Sequence, residues 1–420
     1  MAVFRITGGN ALNGEIDLSG AKNASLPILF GSLISDGTVE LDNVPVQMND
    51  IRVALEIIES IGAGVKVQGN HVTIDPSGID NPSLPLELVS RIRYSLLLLS
   101  VFLNRFGRVE LPFPGGCDIG TRKFDLHIKG LRDLGAEMEV NDRGIFGEVE
   151  SLIGADVEFY LPTTSGTENI MIGACRAKGR TVIRNANTRP EIMDFAEFLN
   201  GMGANIRVSN RLIEIDGVDS LSGTSHTIMK GPDEAMTYMI AAGVTSGEIM
   251  IRDYDLNFLK VDTQYLRDSG MGIYEWGGSV YISGNRELKP FDIFTAPYPG
   301  VNSDMQPLFA ALALKIPGES TITDQRFTDR FSYVNELQSF GGDINHYGNC
   351  AVIRGGKELS GASVSATDLR GGVAEILVGL MSSGETVVDN IYQIDRGYEH
   401  LEEKIQNLGG NIVRTDRQEQ

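Results

Sequence analysis

Apolar and polar positions follow a pattern that recurs about every seventy residues along the chain. In each repeat, a strongly apolar stretch of helical length ends at a glycine, a short β-branched run follows, and an amphipathic stretch ends at a second glycine. The two glycine series are Gly37, Gly107, Gly179, Gly247, Gly318 and Gly384, and Gly62, Gly135, Gly203, Gly270, Gly341 and Gly409. Two series with one period predict six copies of a helix–strand–helix–strand unit.

The last repeat shows this unit in detail. Leu369 to Met381 is almost wholly apolar, which predicts a helix surrounded by other structure, and Thr386 to Val388 is a β-branched strand. Arg396 to Leu408 is apolar on one face only, so we expect a helix that faces solvent on its other side. Val3 to Ile6 and Glu15 to Leu18, ahead of the first helix, look like strands that could close this last unit.

Six units predict two domains of three units each, because 420 residues exceed the usual size of one domain. The boundary is expected near Lys230-Gly231-Pro232, between the third and fourth units. We therefore expect a first domain over 22–229 and a second domain over 1–21 and 230–420. Each should hold buried helices inside a layer of solvent-facing helices and sheets, with pseudo-threefold symmetry.

Composition and charge restrict the possible ligands. The chain is 42% hydrophobic and 22% charged, as expected for a soluble domain, and no apolar run approaches the roughly 20 residues of a membrane-spanning helix. The formal net charge of −20 disfavours nucleic acid and anionic membranes as partners. An anionic metabolite would need positive groups gathered in one cleft.

The cysteines indicate a reducing compartment. Cys117, Cys175 and Cys350 are odd in number and show no metal-ligand spacing, which favours the cytosol over a disulfide framework. The N-terminus has no signal-peptide pattern, and the five histidines form no ligand motif. We expect a cytoplasmic protein without a metal site.

Basic residues lie near helix starts at matching positions of the repeat. Those near first helices are Lys22, Arg93 and Arg370, and those near second helices are Arg122, Arg330 and Arg396. A helix start already carries partial positive charge and free N–H groups, so a basic side chain there makes an anion site. Any one of them could be solvated surface, but six in register weaken that interpretation.

Pro114 to Arg122 holds three glycines and a proline and is predicted to be a loop. Cys117 lies in this loop, five residues before Arg122. A nearby cation lowers the pKa of a thiol and favours the reactive thiolate. A lone cysteine is more often buried and inert, so the residues alone leave both interpretations open.

Asp304 is a candidate general base. It lies at the start of the fifth unit's first helix, where other units carry lysine or arginine. A carboxylate among cations can take up a proton. The commoner use of an aspartate at this place is to cap the helix.

Seven segments resemble the enolpyruvyl transferase family. In chain order they are Ser19 to Ala24, Gly115 to Gly120, Arg122 with Asp125 to His127, Thr295 to Pro297, Ser303 to Gln306, Ala366 to Arg370, and Ile394 to Tyr398. The resemblance implies a two-domain inside-out α/β barrel built from six repeated helix–strand units. It also implies transfer of the enolpyruvyl group of phosphoenolpyruvate to a sugar hydroxyl, with release of phosphate and without a metal or organic cofactor.

The resemblance implies that basic side chains hold the two anionic groups of phosphoenolpyruvate. Lys22, Arg122 and Arg396 would hold its phosphate, and Arg330 and Arg370 would hold its carboxylate. Planar guanidinium groups suit both anions. Two domains closing on such a double anion would exclude water and strengthen each contact.

The implied catalytic residues are Cys117, Asp304, Lys22 and Arg396. Cys117 would be the acid at the methylene carbon and could form a covalent adduct, which also implies inhibition by fosfomycin. Asp304 would take the proton of the acceptor hydroxyl, which Asn23 would help to place. An acid and a base suffice for this addition without a metal.

The acceptor implied by the resemblance is UDP-N-acetylglucosamine, in the first committed step of peptidoglycan synthesis. Arg122 with Asp125 to His127 would line the uridine site, and residues 163–166 would present N–H groups to the diphosphate. The substrate-binding residues beyond those already named would be Arg93, Lys123, Asp125, Leu126, His127, Thr163, Thr164, Ser165, Gly166 and Arg326.

Departures from the family pattern fall on the acceptor side. Lys123 replaces a usual proline, the lysine that usually precedes residues 163–167 is missing, and Arg189 replaces an acid. Lys123 could supply the missing charge, while Arg189 would add charge at the sugar end. Two other hypotheses therefore stay open: a sibling transferase acting on another nucleotide or sugar in a secondary pathway, and a non-catalytic paralogue that binds a nucleotide sugar.

Overall fold

A computed structural model describes the chain in five segments, which are residues 2–80, 84, 86–115, 124–327 and 330–416. The described residues form two compact units. The first domain comprises 20–115 and 124–229, and the second domain comprises 2–19 and 230–416. No helix in these segments is long and apolar enough to cross a membrane.

The helices follow the predicted alternation of apolar and amphipathic stretches. They are α1 Lys22–Gly31, α2 Asn49–Ser60, α3 Leu86–Val89, α4 Leu98–Phe106, α5 Asp125–Asp133, α6 Thr164–Cys175, α7 Pro190–Gly201, α8 Pro232–Thr245, α9 Lys260–Asp268, α10 Gln306–Lys315, α11 Val334–Ser339, α12 Leu369–Met381, α13 Tyr392–Asp395 and α14 Leu401–Asn407. Short 3-10 helices are Ser32–Ile34, Pro76–Gly78, Arg93–Leu97, Leu256–Leu259 and Ser303–Met305.

The strands are short and follow the helices in each unit. They are β1 Ala2–Thr7, β2 Asn13–Ile16, β3 Val39–Asp42, β4 Gly64–Gln68, β5 His71–Asp75, β6 Arg108–Leu111, β7 Glu137–Asn141, β8 Gly144–Glu148, β9 Asp156–Glu158, β10 Arg180–Arg184, β11 Asn205–Ser209, β12 Leu212–Asp216, β13 Ser225–Thr227, β14 Glu248–Ile251, β15 Gly272–Trp276, β16 Ser279–Ser283, β17 Asp292–Phe294, β18 Gly318–Thr323, β19 Asp343–Tyr347, β20 Cys350–Gly355, β21 Ser363–Ser365, β22 Glu385–Asp389 and β23 Asn411–Asp416.

The second glycine series marks the end of the amphipathic helix in every unit, as the sequence predicts. All six glycines of that series have φ between 91° and 105°. This left-handed conformation costs glycine little and strains other residues, so it stops the helix and turns the chain into the next strand.

The described strands form six small sheets, one built mainly from each unit. The sheets of the first domain have the strand orders β13-β3-β5-β4, β6-β8-β7 and β9-β10-β12-β11, and those of the second domain have β2-β14-β16-β15, β17-β18-β20-β19 and β21-β22-β1-β23. In the four-stranded sheets the first-named strand is a parallel edge strand, and the other pairings are antiparallel.

The N-terminal strands join two different units. β1 lies between β22 and β23, with Phe4 opposite Val388 and Arg414, so the prediction that this segment closes the last unit is confirmed. The same prediction is wrong for the second segment, because β2 pairs in parallel with β14 of the fourth unit. The physical reason for this pairing is that every four-stranded sheet has one parallel edge strand. The fourth unit opens its domain and takes that strand from the N-terminal segment, as β3 in the first domain takes β13.

The apolar first helices form the centre of each domain. In the first domain α1, α4 and α6 contact one another, and in the second domain α8, α10 and α12 do so. Every residue of α12 from Leu369 to Leu380 is buried, and each domain has its own hydrophobic core. This burial confirms the prediction that these helices are enclosed by other structure. Their polar first turns are therefore the main place where they can meet a ligand.

Candidate functional site

Three of the described basic residues lie at helix starts, and two lie between helices. Lys22 is the first residue of α1, Arg93 opens a 3-10 helix, and Arg370 is the second residue of α12. Arg330 precedes α11, and Arg396 directly follows α13. Three further predicted site residues, Cys117, Arg122 and Lys123, lie outside the described residues.

Asp304 lies between two buried arginines in the second domain. Its Oδ1 is 2.6 Å from Nη2 of Arg330, and its Oδ2 is 4.0 Å from Nη2 of Arg370. The arginine side chains are each 4% exposed, while the Asp304 side chain is 23% exposed. The helix-capping interpretation of Asp304 is wrong, because the cap is Asn302, whose side-chain oxygen accepts a hydrogen bond from the Asp304 N–H. The Asp304 carboxylate is therefore the solvent-accessible member of the cluster.

Arg370 is held by groups from three places in the second domain. Its guanidinium forms an ion pair with Asp233 at the start of α8 and donates a 3.1 Å hydrogen bond to the Tyr398 hydroxyl. Its own N–H is capped by the Asp368 side chain. Tyr398 is in turn within 2.6 Å of the Thr237 hydroxyl in α8. The orientation of the guanidinium is therefore set before any substrate binds.

Arg330 stays charged although it is buried. Burial lowers the pKa of its guanidinium, but the carboxylates of Asp304 and Asp368 raise that pKa by more, so it lies above its ordinary value. A buried cation without such partners would be strongly destabilising. The second domain thus presents two buried guanidinium groups beside one partly exposed carboxylate.

Two other predicted phosphate-binding residues are partly covered. Lys22 in the first domain has its Nζ 3.2 Å from Oδ2 of Asp50, and the side chains are 13% and 8% exposed. Arg396 in the second domain is 8% exposed and donates from Nη1 to Gln393 at 3.2 Å. Asn23 follows Lys22 in α1 and is partly buried. Lys22 is placed by the start of α1, as the sequence predicts. The helix predicted over Arg396 to Leu408 is wrong at its start, because Arg396 follows the end of α13 and the second helix begins only at Leu401.

Residues 163–166 form the start of α6. The helix begins at Thr164, and Thr163 is its N-cap without a side-chain cap hydrogen bond. The first-turn N–H groups therefore have no partner from the helix or its cap. The Thr164 hydroxyl accepts from the Asn187 amide at 2.9 Å, and the Ser165 hydroxyl is 3.1 Å from Nε2 of His127. This first turn can accept an anion through its backbone.

His127 is a buried neutral histidine in the first domain. It is 2% exposed, and its Nδ1 has no hydrogen-bond partner among the described residues. Burial, with a smaller effect from Arg93, lowers its pKa to about 3. At neutral pH it can donate or accept a hydrogen bond without adding charge beside α6.

The residues that flank His127 differ in accessibility. Asp125 is exposed and accepts a 2.6 Å hydrogen bond from the Tyr160 hydroxyl. Leu126 is 7% exposed and belongs to the core of the first domain. Arg326, in the second domain, is exposed, with its guanidinium carbon 5.5 Å from the centre of the Phe327 ring.

Arg189 does not bring uncompensated charge into the first domain. Its Nε and Nη2 donate to the Glu191 carboxylate at 2.7 and 2.5 Å. Glu191 is 1% exposed, so the pair is a shielded, bidentate one, which is a strong geometry. The positive charge of Arg189 is therefore neutralised by Glu191 at the start of the same helix.

Sequence reasoning missed the acidic partners of these cations. Asp50, Asp233 and Glu191 are 6%, 8% and 1% exposed, and each is the second residue of its helix. Their place in the first turn of a helix was the sequence signal that could have identified them. It was not decisive, because acidic residues in a first turn commonly serve to balance the helix dipole.

Comparison with known proteins finds relatives over nearly the whole chain. The family described as EPSP synthase (3-phosphoshikimate 1-carboxyvinyltransferase) matches residues 6–405. UDP-N-acetylglucosamine 1-carboxyvinyltransferase of Geotalea uraniireducens (strain Rf4) is 42% identical over 410 residues, with 97% of this chain and 98% of the relative covered. The protein of the same name from Coxiella burnetii (strain Dugway 5J108-111) is 44% identical over 413 residues, with 97% and 95% covered.

Solved structures show the same fold. The enolpyruvyl transferase NikO of Streptomyces tendae superposes with a TM-score of 0.89 at 23% identity, covering 99% of both chains. EPSP synthase of Acinetobacter baumannii gives a TM-score of 0.75 at 18% identity, covering 99% of this chain and 100% of the other. At these identities the likeness concerns the fold alone, and it confirms the predicted two-domain inside-out α/β barrel.

The neutral state of His127 predicts a dependence of stability on pH. The imidazole has a pKa near 6.5 when unfolded and about 3 when folded, so the unfolded chain binds the proton first. As the pH falls from 6.5 towards 3, the free energy of unfolding should therefore drop by about 1.4 kcal/mol per pH unit on account of this group. Denaturant titrations of the wild type and His127→Gln should show the wild type losing stability relative to the variant over this range. A constant difference would contradict a buried neutral His127.

The three cysteines should differ in reactivity. Cys175 is fully buried, and burial raises its pKa to about 12; Cys350 begins β20 and is partly buried. We expect brief alkylation, or fosfomycin, to label Cys117 first, as its predicted loop and the nearby Arg122 suggest. Mass spectrometry of native wild type and Cys117→Ser would locate the label. Preferential labelling of Cys175, or unchanged labelling of Cys117→Ser, would contradict this assignment.

Proposed function

Since this chain belongs to the EPSP synthase family of enolpyruvyl transferases, we propose that it transfers the enolpyruvyl group of phosphoenolpyruvate to a hydroxyl of UDP-N-acetylglucosamine and releases phosphate. Relatives with that acceptor in their names are 42% and 44% identical to it over nearly their full length. The reaction would be the first committed step of peptidoglycan synthesis and would take place in the cytoplasm on small-molecule substrates.

The observation that carries this proposal is the placement of Asp304 beside Arg330 and Arg370. Two buried guanidinium groups offer planar donors for a carboxylate, and the 2.6 Å contact shows that Arg330 already holds one there. The partly exposed Asp304 carboxylate is the group in this cluster that can take a proton. A donor carboxylate and an acceptor hydroxyl are the two substrate groups that such a cluster serves.

The donor would be bound through both of its anionic groups. Its carboxylate would contact Arg330 and Arg370, and its phosphate would contact Lys22, Arg122 and Arg396. In the resting protein these cations already have carboxylate or amide partners where they are described. Binding therefore exchanges one set of charge-assisted contacts for another, which favours a dianion over a neutral molecule.

The chemistry would be an addition followed by an elimination. Cys117 would protonate the methylene carbon, and the neighbouring carbon would gain cationic character. The acceptor oxygen would bond to that carbon while Asp304 takes its proton, with Asn23 placing the hydroxyl. Loss of a proton from the new methyl group and cleavage of the carbon–oxygen bond to phosphate would then restore the double bond in the product.

The first domain would supply the acceptor's binding groups. The first-turn N–H groups of α6 would hold the diphosphate, and neutral His127 would fix Ser165 in that turn through its 3.1 Å contact. Arg122, Lys123 and Asp125 would lie at the uridine. Because Glu191 neutralises Arg189, the charge reversal there does not by itself exclude an uncharged sugar.

Phosphate release from phosphoenolpyruvate should require the nucleotide sugar. The assay compares UDP-N-acetylglucosamine, uridine diphosphate, uridine monophosphate and shikimate 3-phosphate as acceptors, with mass spectrometry of the product. We expect rapid release with UDP-N-acetylglucosamine and formation of its carboxyvinyl ether. Preferential turnover of uridine monophosphate would favour the sibling transferase instead, and tight binding of the nucleotide sugar without any turnover would favour a non-catalytic paralogue.

Two aspartate variants of the same unit control this assay. Asp304→Asn should lower kcat by about 10²- to 10⁴-fold, because it removes the proposed general base. Asp343 lies on β19, and its carboxylate pairs with Lys357 and Arg354. Asp343→Asn should leave kcat unchanged. Near-normal turnover by Asp304→Asn would remove Asp304 from the reaction.

A further inference from the structure

The segment Thr295 to Pro297 has no function in the scheme above, but Thr295 contacts a buried carboxylate. β17 and β18 are parallel neighbours, and Thr295 and Asp324 directly follow them. Because the carboxyl ends of parallel strands meet at one edge of a sheet, both residues lie there. The Thr295 hydroxyl donates to Oδ1 of Asp324 at 3.0 Å, and both residues are 1% exposed.

The Asp324 carboxylate collects an unusual number of donors. Its hydrogen bonds come from Thr295 Oγ1 at 3.0 Å, Ser303 Oγ at 2.5 Å, Gln306 Nε2 at 3.5 Å, Arg326 N at 2.8 Å and Phe327 N at 3.0 Å. These donors belong to three separate segments of the second domain. A buried carboxylate that is fully hydrogen-bonded in this way holds its partners in place.

The other repeats show what this position does elsewhere. Asp324 lies six residues after Gly318, which belongs to the first glycine series, and the residues six after that glycine in three other units are Asn43, Asn185 and Asn390. Those asparagines have left-handed φ values of 59°, 54° and 52°, and each side chain donates to one backbone carbonyl. Asp324 shares neither the left-handed backbone nor the role of donor. The fifth unit has therefore replaced a turn-stabilising amide with an acceptor that faces inward.

The segments tied by Asp324 carry the proposed reacting groups. The Ser303 hydroxyl that donates to Asp324 also accepts from Nη1 of Arg330 at 3.4 Å, and it opens the short helix that contains Asp304. Gln306, at the end of that helix, donates both to Asp324 and to the Arg330 carbonyl at 3.4 Å. The negative charge of Asp324 also contributes to the raised pKa of Arg330. One carboxylate thus connects the base to the arginine.

We propose that Asp324 is a positioning residue that holds Asp304 and Arg330 in their mutual geometry for the reaction. This inference rests on the proposed function, because it concerns the same donor carboxylate and the same proton acceptor. Asp324 touches no reacting atom itself. Its contribution is to fix the Ser303–Met305 helix, and through Ser303 the guanidinium that faces Asp304.

The test is Asp324→Asn, which keeps the shape and most hydrogen bonds but removes the charge. We expect kcat to fall on the order of 100-fold, because small displacements of reacting groups have effects of this size, and KM for phosphoenolpyruvate to rise. The dissociation constant of the acceptor nucleotide, measured by calorimetry, should stay within twofold of the wild type. If Asp324 had a merely structural role, the variant would be less stable, but the kinetics with phosphoenolpyruvate would not change separately from the affinity for the acceptor nucleotide.

Asp292→Asn is the matched control. Asp292 lies on the same pair of strands and accepts a 2.6 Å hydrogen bond from Thr321, but it is exposed and away from the Asp304 segment. It should leave both kinetic constants unchanged. If Asp324→Asn does not fold, Thr295→Val removes a single donor and should lower kcat by a smaller factor in the same direction.

The outcomes separate the two proposals. Wild-type protein that turns over with the nucleotide sugar, together with Asp324→Asn or Thr295→Val kinetics equal to those of Asp292→Asn, would overturn the positioning role alone. An equal loss of donor turnover and acceptor affinity would also overturn it, since that result indicates general damage to the fold. Wild-type protein that releases no phosphate with any acceptor would overturn the proposed function and this inference with it.

Discussion

A buried cation needs a counter-charge, and this requirement organises the proposed site. In a chain of net charge −20, acids are plentiful, yet the acids that matter are the few that accompany cations into the interior. Arg330 faces Asp304, and Arg370 faces Asp233. Without these carboxylates the low-dielectric interior would strongly destabilise both guanidinium groups. The proposed site is therefore charged and oriented before substrate arrives, and substrate anions would replace or join partners that are already in place.

The sixfold repeat explains where these charges come from. Each unit buries a mostly apolar helix in the centre of its domain, so the first turn is the part of that helix best placed to meet a ligand. A site assembled from several such first turns gathers helix N-termini, which favour anions. Function then requires units to differ from one another at equivalent positions. Asp304 lies where three other units carry Lys22, Arg93 or Arg370, and Asp324 lies where three other units carry an asparagine.

Much of the fold was predictable because it depends on local rules. The helix-end glycines follow from backbone sterics, and burial of the first helices follows from their lack of a polar face. The placement of β2 was not predictable from its own residues, because an edge strand of this length carries no information on which central strand it joins. Pairing there is decided by the order of units in the domain.

The candidate site was predictable for its cations and less so for its acids. Lys22 and Arg370 are conspicuous because the helix dipole disfavours a basic residue at a helix start. Asp50 and Asp233, their neighbours in space, sit where an acid normally balances the dipole, and only three-dimensional proximity distinguishes them. The same holds for Asp324, whose sequence context is that of an ordinary turn.

The central claim is that Arg330 and Arg370 recognise the carboxylate of the donor. It is tested most directly by comparing phosphoenolpyruvate with vinyl phosphate, which lacks that carboxylate, in the wild type and in Arg330→Ala. We expect the wild type to prefer phosphoenolpyruvate strongly in kcat/KM and most of this preference to disappear in the variant. The carboxylate that vinyl phosphate lacks and the guanidinium that Arg330→Ala lacks are the two partners of one interaction. If Arg330→Ala lowered kcat/KM for both donors by the same factor, Arg330 would not contact the carboxylate, and the account would be contradicted.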